Sequence, residues 1–324
     1  LRLLSGSEVR TAVNMHEAIE VMRDVFCQLS SHKVDVPLRT SITSPSGTTL
    51  VMPAYLPASA ALGLKVASIY PGNVSRGLPT VTALVAALDP ETGQPIAVME
   101  GAYLTSLRTG AASGVATDVL ARKDAHTLSV IGAGAQARTQ IEAVCCVRDI
   151  QEIHVFGRTR TSAEALAAEL SRNYPTLNVT AATTRSEVVK GADIVITATN
   201  SSTPVFNGED LTPGVHINAI GSFRPDMQEI DEYTVERAVL VVDQREAVLS
   251  EAGDIIIPIR KGVITEEHIY AELGEIILGL KPGRRNNDEM TLFKSVGNAA
   301  QDVAIARLVL QSAEENNIGT VIPL

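Results

Sequence analysis

Three cations stand in stretches whose neighbours favour burial: Arg39 before Thr40-Ser41-Ile42, Lys65 between Leu64 and Val66, and Arg108 inside the small-residue run from Thr105 to Ala116. A charge buried without a partner is strongly disfavoured, so each needs a surface position, an internal acid or an anionic ligand. A solvated or salt-bridged position is the usual one for Lys or Arg. Convergence of all three would define a site for an organic acid facing a cofactor. Three cations are more than a carboxylate needs, which leaves one for proton transfer. Lys65 suits that role, because a lysine crowded by other cations becomes an acid or base near neutral pH.

A second chemical signal is Thr127-Leu128-Ser129-Val130-Ile131-Gly132-Ala133-Gly134-Ala135-Gln136-Ala137. It reads as a strand, a tight turn and a helix start. Gly132 permits the turn, Gly134 lets a pyrophosphate approach the backbone N–H groups at the helix N-terminus, and Ala137 takes the close-packing position. One helix length later comes a second strand, Glu152 to Phe156, which ends in Gly157-Arg158-Thr159-Arg160. An NAD-selective site usually places Asp or Glu there for the ribose 2′-hydroxyl. Guanidinium and hydroxyl groups suit a 2′-phosphate instead. The expected cofactor is therefore NADP(H), with NAD(H) possible.

Other chemistries find less support. The histidines His16, His32, His126, His154, His216 and His268 show no metal-type spacing, and the three cysteines, Cys27, Cys145 and Cys146, have none either, so no metal is expected. Ser201 and Ser202 lack a nucleophile-elbow frame. A net charge of −10 without a basic, aromatic-interleaved stripe argues against nucleic acid. No apolar run is long enough for a membrane span and no signal-peptide pattern opens the chain, so a cytoplasmic protein is expected.

The elements that must position these residues fall into two groups. Residues 15–29 repeat apolar side chains at helical spacing. Short β-rich runs follow at 39–42, 48–52, 63–69, 80–88 and 95–99, with connections that suggest an antiparallel sheet. After Thr127 strand and helix alternate as far as the strand at 238–243, which predicts a parallel sheet covered on both faces. With that sheet taken as complete, the helix at 298–312 should return to the first group. The expected organisation is α/β: a doubly wound parallel Rossmann domain at 114–298, and an α+β antiparallel-sheet domain formed by 1–113 with 299–324.

At this point the sequence resembles the family of ornithine cyclodeaminase, archaeal alanine dehydrogenase and mu-crystallin ketimine reductase. The resemblance spans essentially the whole chain. It is carried by Met52-Pro53-Ala54-Tyr55, Gly63-Leu64-Lys65, Tyr70-Pro71-Gly72-Asn73, Gly77-Leu78-Pro79-Thr80-Val81, Ser106-Leu107-Arg108-Thr109-Gly110-Ala111, the glycine turn, Ile217-Asn218-Ala219-Ile220-Gly221, Gly274-Glu275-Ile276-Ile277-Leu278-Gly279, and Ser295-Val296-Gly297 with Asp302. The resemblance implies a homodimer formed through the N-terminal domain. It implies substrate contacts from Arg39, Met52, Lys65, Arg108 and Val296, with Lys65 catalytic and Glu251 tuning it. Cofactor contacts implied in the same way are Thr80, Arg108, Thr109, Ala135, Gln136, Arg158, Thr159, Thr199, Gly221, Ser222 and Ser295, beside Gly132, Gly134 and Arg160 read above from the glycine turn and the loop after the second strand.

One departure bears on the activity. Where ornithine cyclodeaminase carries an Asp for the substrate's side-chain amine, this sequence has Phe223, and Asp226 lies three residues away. A phenyl ring cannot accept a hydrogen bond from an ammonium as a carboxylate does. The expectation is reduction of a cyclic ketimine carboxylate, 1-pyrroline-2-carboxylate or 1-piperideine-2-carboxylate, to L-proline or L-pipecolate. An L-amino acid dehydrogenase or cyclodeaminase, and a non-catalytic NADPH-linked binding protein, are the alternatives.

Overall fold

The computed structural model describes residues 1–323. The chain forms two compact units, Leu1–Arg108 with the segment from Gly297 onward, and Thr109–Val296. The division falls inside a helix at 108/109, a little ahead of the expected 113/114, and the return falls at 297 in place of 299.

In the first unit, β1 (Arg2–Leu4) leads into α1 (Gly6–Ala12) and α2 (Met15–Ser30). Asn14 and Glu17 form a reciprocal capping box that starts α2, whose buried face is Met15, Ala18, Ile19, Met22, Val25, Phe26 and Leu29. Strands β2 (Thr40–Ser44), β3 (Gly47–Leu56), β4 (Ala61–Ile69), β5 (Val81–Leu88) and β6 (Pro95–Glu100) follow, and α3 (Gly101–Leu120) begins next. Burial alternates along β4, so Ala61, Gly63, Lys65 and Ala67 share the inner face. Register sets Met52 of β3 and Val85 of β5 on either side of Lys65.

The second unit holds β7 (Thr127–Ile131), α4 (Ala135–Val147), β8 (Glu152–Phe156), α5 (Arg160–Asn173), β9 (Asn178–Ala181), α6 (Arg185–Val189), β10 (Ile194–Thr197), β11 (His216–Ala219), α7 (Glu232–Arg237), β12 (Val239–Val242), α8 (Arg245–Glu251), α9 (Gly253–Arg260), β13 (Ile269–Glu272), α10 (Leu273–Ile277) and β14 (Thr291–Lys294). All pairs are parallel in the order β13-β12-β14-β11-β10-β7-β8-β9. Side chains alternate between two cores, Leu128, Val130, Ile194 and Ile196 on one face and Ile131, Val195, Ile217 and Leu240 on the other. Strand order reverses between β7 and β10, as the alternation predicts.

Two strands correct the sequence reading. The parallel sheet is not complete at residue 243, since β13 and β14 come later and β14 lies between β11 and β12. The chain then returns to the first unit as α11 (Ala299–Glu315), packed on β3, β4, β5 and α2, and ends in β15 (Thr320–Val321). The first sheet, β15-β1-β6-β5-β4-β3-β2, is antiparallel except where β1 lies parallel to β6.

Candidate active site

Strand alternation drives Lys65 into the interior of the first unit, where it is 4% exposed. The carboxylate that meets it is Asp302, on the first turn of α11, which is fully buried. Lys65 Nζ donates to Asp302 Oδ1 at 3.0 Å and Oδ2 at 2.9 Å, and to Thr105 Oγ1 at 3.3 Å. Arg108 reaches the same acid from α3, its Nε donating to Asp302 Oδ1 at 3.1 Å and its Nη1 to Gln301 Oε1 at 2.8 Å. Arg39 donates from Nη2 to the Gly297 carbonyl at 3.0 Å. Gly297 takes a left-handed φ of 72°, and a Cβ there would lie 2.3 Å from Arg108 Nη1. Only glycine lets the chain pass so near the guanidinium.

Donors outnumber acceptors in this site. Asn298 turns Oδ1 back to accept from the Gln301 N–H, and Arg108 fixes the Gln301 amide oxygen. Asn298 Nδ2 and Gln301 Nε2 are thereby left buried without a protein acceptor. Lys65 and Arg108 share one carboxylate, Arg39 holds the Gly297 carbonyl, and the two open amide donors lie at the start of the same helix, a donor excess that suits a second anion. Burial lowers the Lys65 ammonium from its usual 10.5 to about 8; Asp302 opposes the fall, and Arg108 and Arg39 add to it. Burial also raises the Asp302 carboxyl, but Lys65 and Arg108 outweigh that and hold it below the ordinary carboxylate range.

The remaining sequence candidates divide between the units. Met52 is buried directly across the sheet from Lys65, and Thr80 stands just before β5. In the second unit, Gly132 adopts φ 119°, with its would-be Cβ 2.5 Å from the Ala198 carbonyl. Gly134 caps α4 without a side-chain bond and has open space around it, so the first N–H groups of a 13-residue helix, from Ala135 and Gln136, carry no side-chain cap, while Ala137 is buried. This cradle fits a dinucleotide pyrophosphate. Thr199 follows β10, Gly221 and Ser222 follow β11, and Ser295 and Val296 follow β14. Thr109 is buried in α3.

Several expected cofactor side chains are engaged within the protein. Thr159 caps α5 through Ser162, Arg160 pairs with Glu164 at 2.6 Å, the Ser222 hydroxyl donates to the Met227 carbonyl at 2.9 Å, and Ser295 Oγ donates to Asp243 Oδ2 at 2.7 Å. Asp243 also accepts the Val296 N–H at 3.0 Å. Arg158 is exposed. Phe223 packs on the core, and Asp226 is exposed and bridged to Arg224 at 3.0 Å. The sequence reading gave no role to Asp302, Gln301, Asn298 or Thr105. An acid on the inward face of the 298–312 helix, where apolar residues belong, was the available signal for Asp302.

A reversing parallel sheet with a glycine turn in the second unit, and a buried lysine in a donor-rich site in the first, define a two-unit dinucleotide-binding protein. The chain belongs to the ornithine cyclodeaminase/mu-crystallin family, which it matches over residues 2–317. It is 42% identical over 320 residues to a Delta(1)-pyrroline-2-carboxylate reductase of Bacillus cereus, covering 98% of each chain. An alanine dehydrogenase of Archaeoglobus fulgidus is 38% identical over 320 residues, covering 99% of this chain and 97% of that one. The solved Thermococcus litoralis Delta(1)-pyrroline-2-carboxylate reductase, in complex with NADH and L-proline, superposes with a TM-score of 0.96 at 46% identity, covering 99% of this chain and all of that one.

Proposed function

We propose that this protein reduces a cyclic ketimine carboxylate, 1-pyrroline-2-carboxylate or 1-piperideine-2-carboxylate, to L-proline or L-pipecolate with a reduced nicotinamide dinucleotide. The observation that carries this is the Lys65 ammonium held by Asp302 beside Arg108 among unfilled donors. Arg39 and Arg108 bind the substrate carboxylate. Lys65 gives a proton to the imine nitrogen, which makes the adjacent carbon more electrophilic. The glycine turn and the loops after β10 and β11 would hold a reduced dinucleotide, whose chemistry would be the donation of a hydride. The full-length similarity to two pyrroline-2-carboxylate reductases supports the same substrate class.

A second reading, an alanine-type dehydrogenase, draws on the Archaeoglobus relative. Cyclodeamination is disfavoured, because Phe223 packs on the core and Asp226 is paired with Arg224 at the surface. Steady-state assays with pyrroline-2-carboxylate and NADPH, beside pyruvate with ammonia and beside ornithine, separate these readings. Turnover confined to pyruvate and ammonia would overturn the first.

NADPH is the preferred cofactor in this reading, on the strength of Arg158. Arg158→Ala is expected to weaken NADPH binding on the order of tenfold, the loss of a charge-assisted hydrogen bond, while NADH binding changes little. Titration of nicotinamide fluorescence checks this. Equal losses for both cofactors would discredit the 2′-phosphate role.

We also propose a homodimer through the first unit, supported by its exposed apolar side chains Leu38, Ile42, Val74, Leu78, Val81 and Leu84. Sedimentation at micromolar concentration should give twice the 34.3 kDa chain mass. A monomer there would remove the proposal.

A further inference from the structure

Three charges lie fully buried in the second unit and take no part in the chemistry above: Glu229, Asp254 and Lys294. Their bonds converge on the loops that follow β10 and β11. Glu229 Oε1 accepts the Thr199 N–H at 2.6 Å, and Oε2 accepts the Gly221 N–H at 2.7 Å, the Ser222 N–H at 3.2 Å and the Thr197 hydroxyl at 3.1 Å. Asp254 Oδ1 in turn accepts the Glu229 N–H at 2.6 Å and the Ile230 N–H at 3.0 Å, and its Oδ2 pairs with Lys294 Nζ at 2.9 Å. A Cβ on Gly221 would stand 2.1 Å from the Thr199 carbonyl and 2.6 Å from Glu229 Oε1, so the two loops are drawn together around this carboxylate.

Burying an excess of negative charge is unfavourable for a core that apolar residues could fill, and the bonds given up to it lie at one place. That place is the C-terminal edge of the parallel sheet, where the chain leaves β10 and β11. We propose that Glu229 is a positioning residue for the dinucleotide, fixing Thr199, Gly221 and Ser222 in their binding geometry, with Asp254 and Lys294 anchoring it from behind. The inference rests on the reading that these loops contact the dinucleotide.

Glu229→Gln keeps the shape and removes the charge. Its amide nitrogen must then face a backbone N–H, because both carboxylate oxygens now accept from one. The expected result is a folded protein whose dissociation constants for NADPH and NADH both rise on the order of tenfold, by nicotinamide fluorescence. The dinucleotide KM should rise in parallel, while kcat at saturating dinucleotide and the KM for the imine stay within about twofold. A merely structural role would lower kcat with the dinucleotide KM unchanged, and that outcome overturns the proposal, as does wild-type affinity in the variant. Failure of the unaltered protein to bind either dinucleotide would instead overturn the reading beneath it. Should Glu229→Gln not fold, Thr197→Val decides: it removes one donor to the same carboxylate and is expected to weaken both dinucleotides severalfold, and unchanged affinity sinks the proposal.

Discussion

Lys65→Met is expected to lower kcat for imine reduction about a thousandfold while leaving dinucleotide binding intact. General acid catalysis contributes roughly 10²–10⁴ to rate, and Lys65 is the side chain to which this reading assigns it. The variant should fold, because Asp302 keeps Arg108 as its partner at 3.1 Å. The protonated lysine is the active form for reduction, and burial has lowered it to about 8. Accordingly, kcat/KM for the imine should be level below about pH 8 and fall about tenfold per unit above it. Titration of the substrate could give a similar limb, but such a limb would not respond to the enzyme. Asp302→Asn removes the charge that helps Lys65 keep its proton, so it should move the fall to lower pH. Retention of a tenth of the activity in Lys65→Met, or a limb unmoved in Asp302→Asn, would exclude Lys65 as the proton donor.

The second large effect concerns stability. Asp302→Ala strands Lys65 and Arg108 together in the interior, and breaking a buried ion pair from one side destabilises by about 3–5 kcal/mol. For a chain of this size that corresponds to a fall in Tm on the order of 10 °C. Adding Lys65→Met to the alanine variant should recover part of the loss, since only one of the two cations then lacks its Asp302 counter-charge, and a double-mutant cycle measures the recovery. A loss below about 1 kcal/mol would mean that the ion network is hydrated and contributes little to the fold. The direction with pH also follows. Lys65 binds its proton less firmly folded than unfolded, so its contribution to stability rises with pH between about 8 and 10.5.

Part of this site is legible in the amino-acid sequence. The oddity of Lys65 between Leu64 and Val66 announced a buried cation in need of a counter-charge, and β4 buries it. What periodicity could not supply was the identity of that counter-charge, because Asp302 is 237 residues away and meets Lys65 only after the chain has built the whole second unit. The glycine turn, the alternating elements and the reversal beside β7 were legible for the opposite reason: each is local. β14 escaped notice because Thr-Leu-Phe-Lys is short and ends in a charge, and only its neighbours in space make Lys294 an interior residue. Arg160 reads as a phosphate ligand from its type, and Thr159 from its type and from the family resemblance. Residue type cannot reveal that Glu164 and Ser162, also nearby on α5, already engage them.

The late arrival of β14 has a consequence for biosynthesis. As the chain emerges from the ribosome, β11 and β12 are made long before the strand that separates them, and each is left with an edge awaiting a neighbour. The central slot is filled only when Thr291–Lys294 appears, and with Lys294 comes the counter-charge for Asp254. Until then the nascent sheet remains in two parts, of two and five strands, each with an unpaired strand edge prone to wrong pairings.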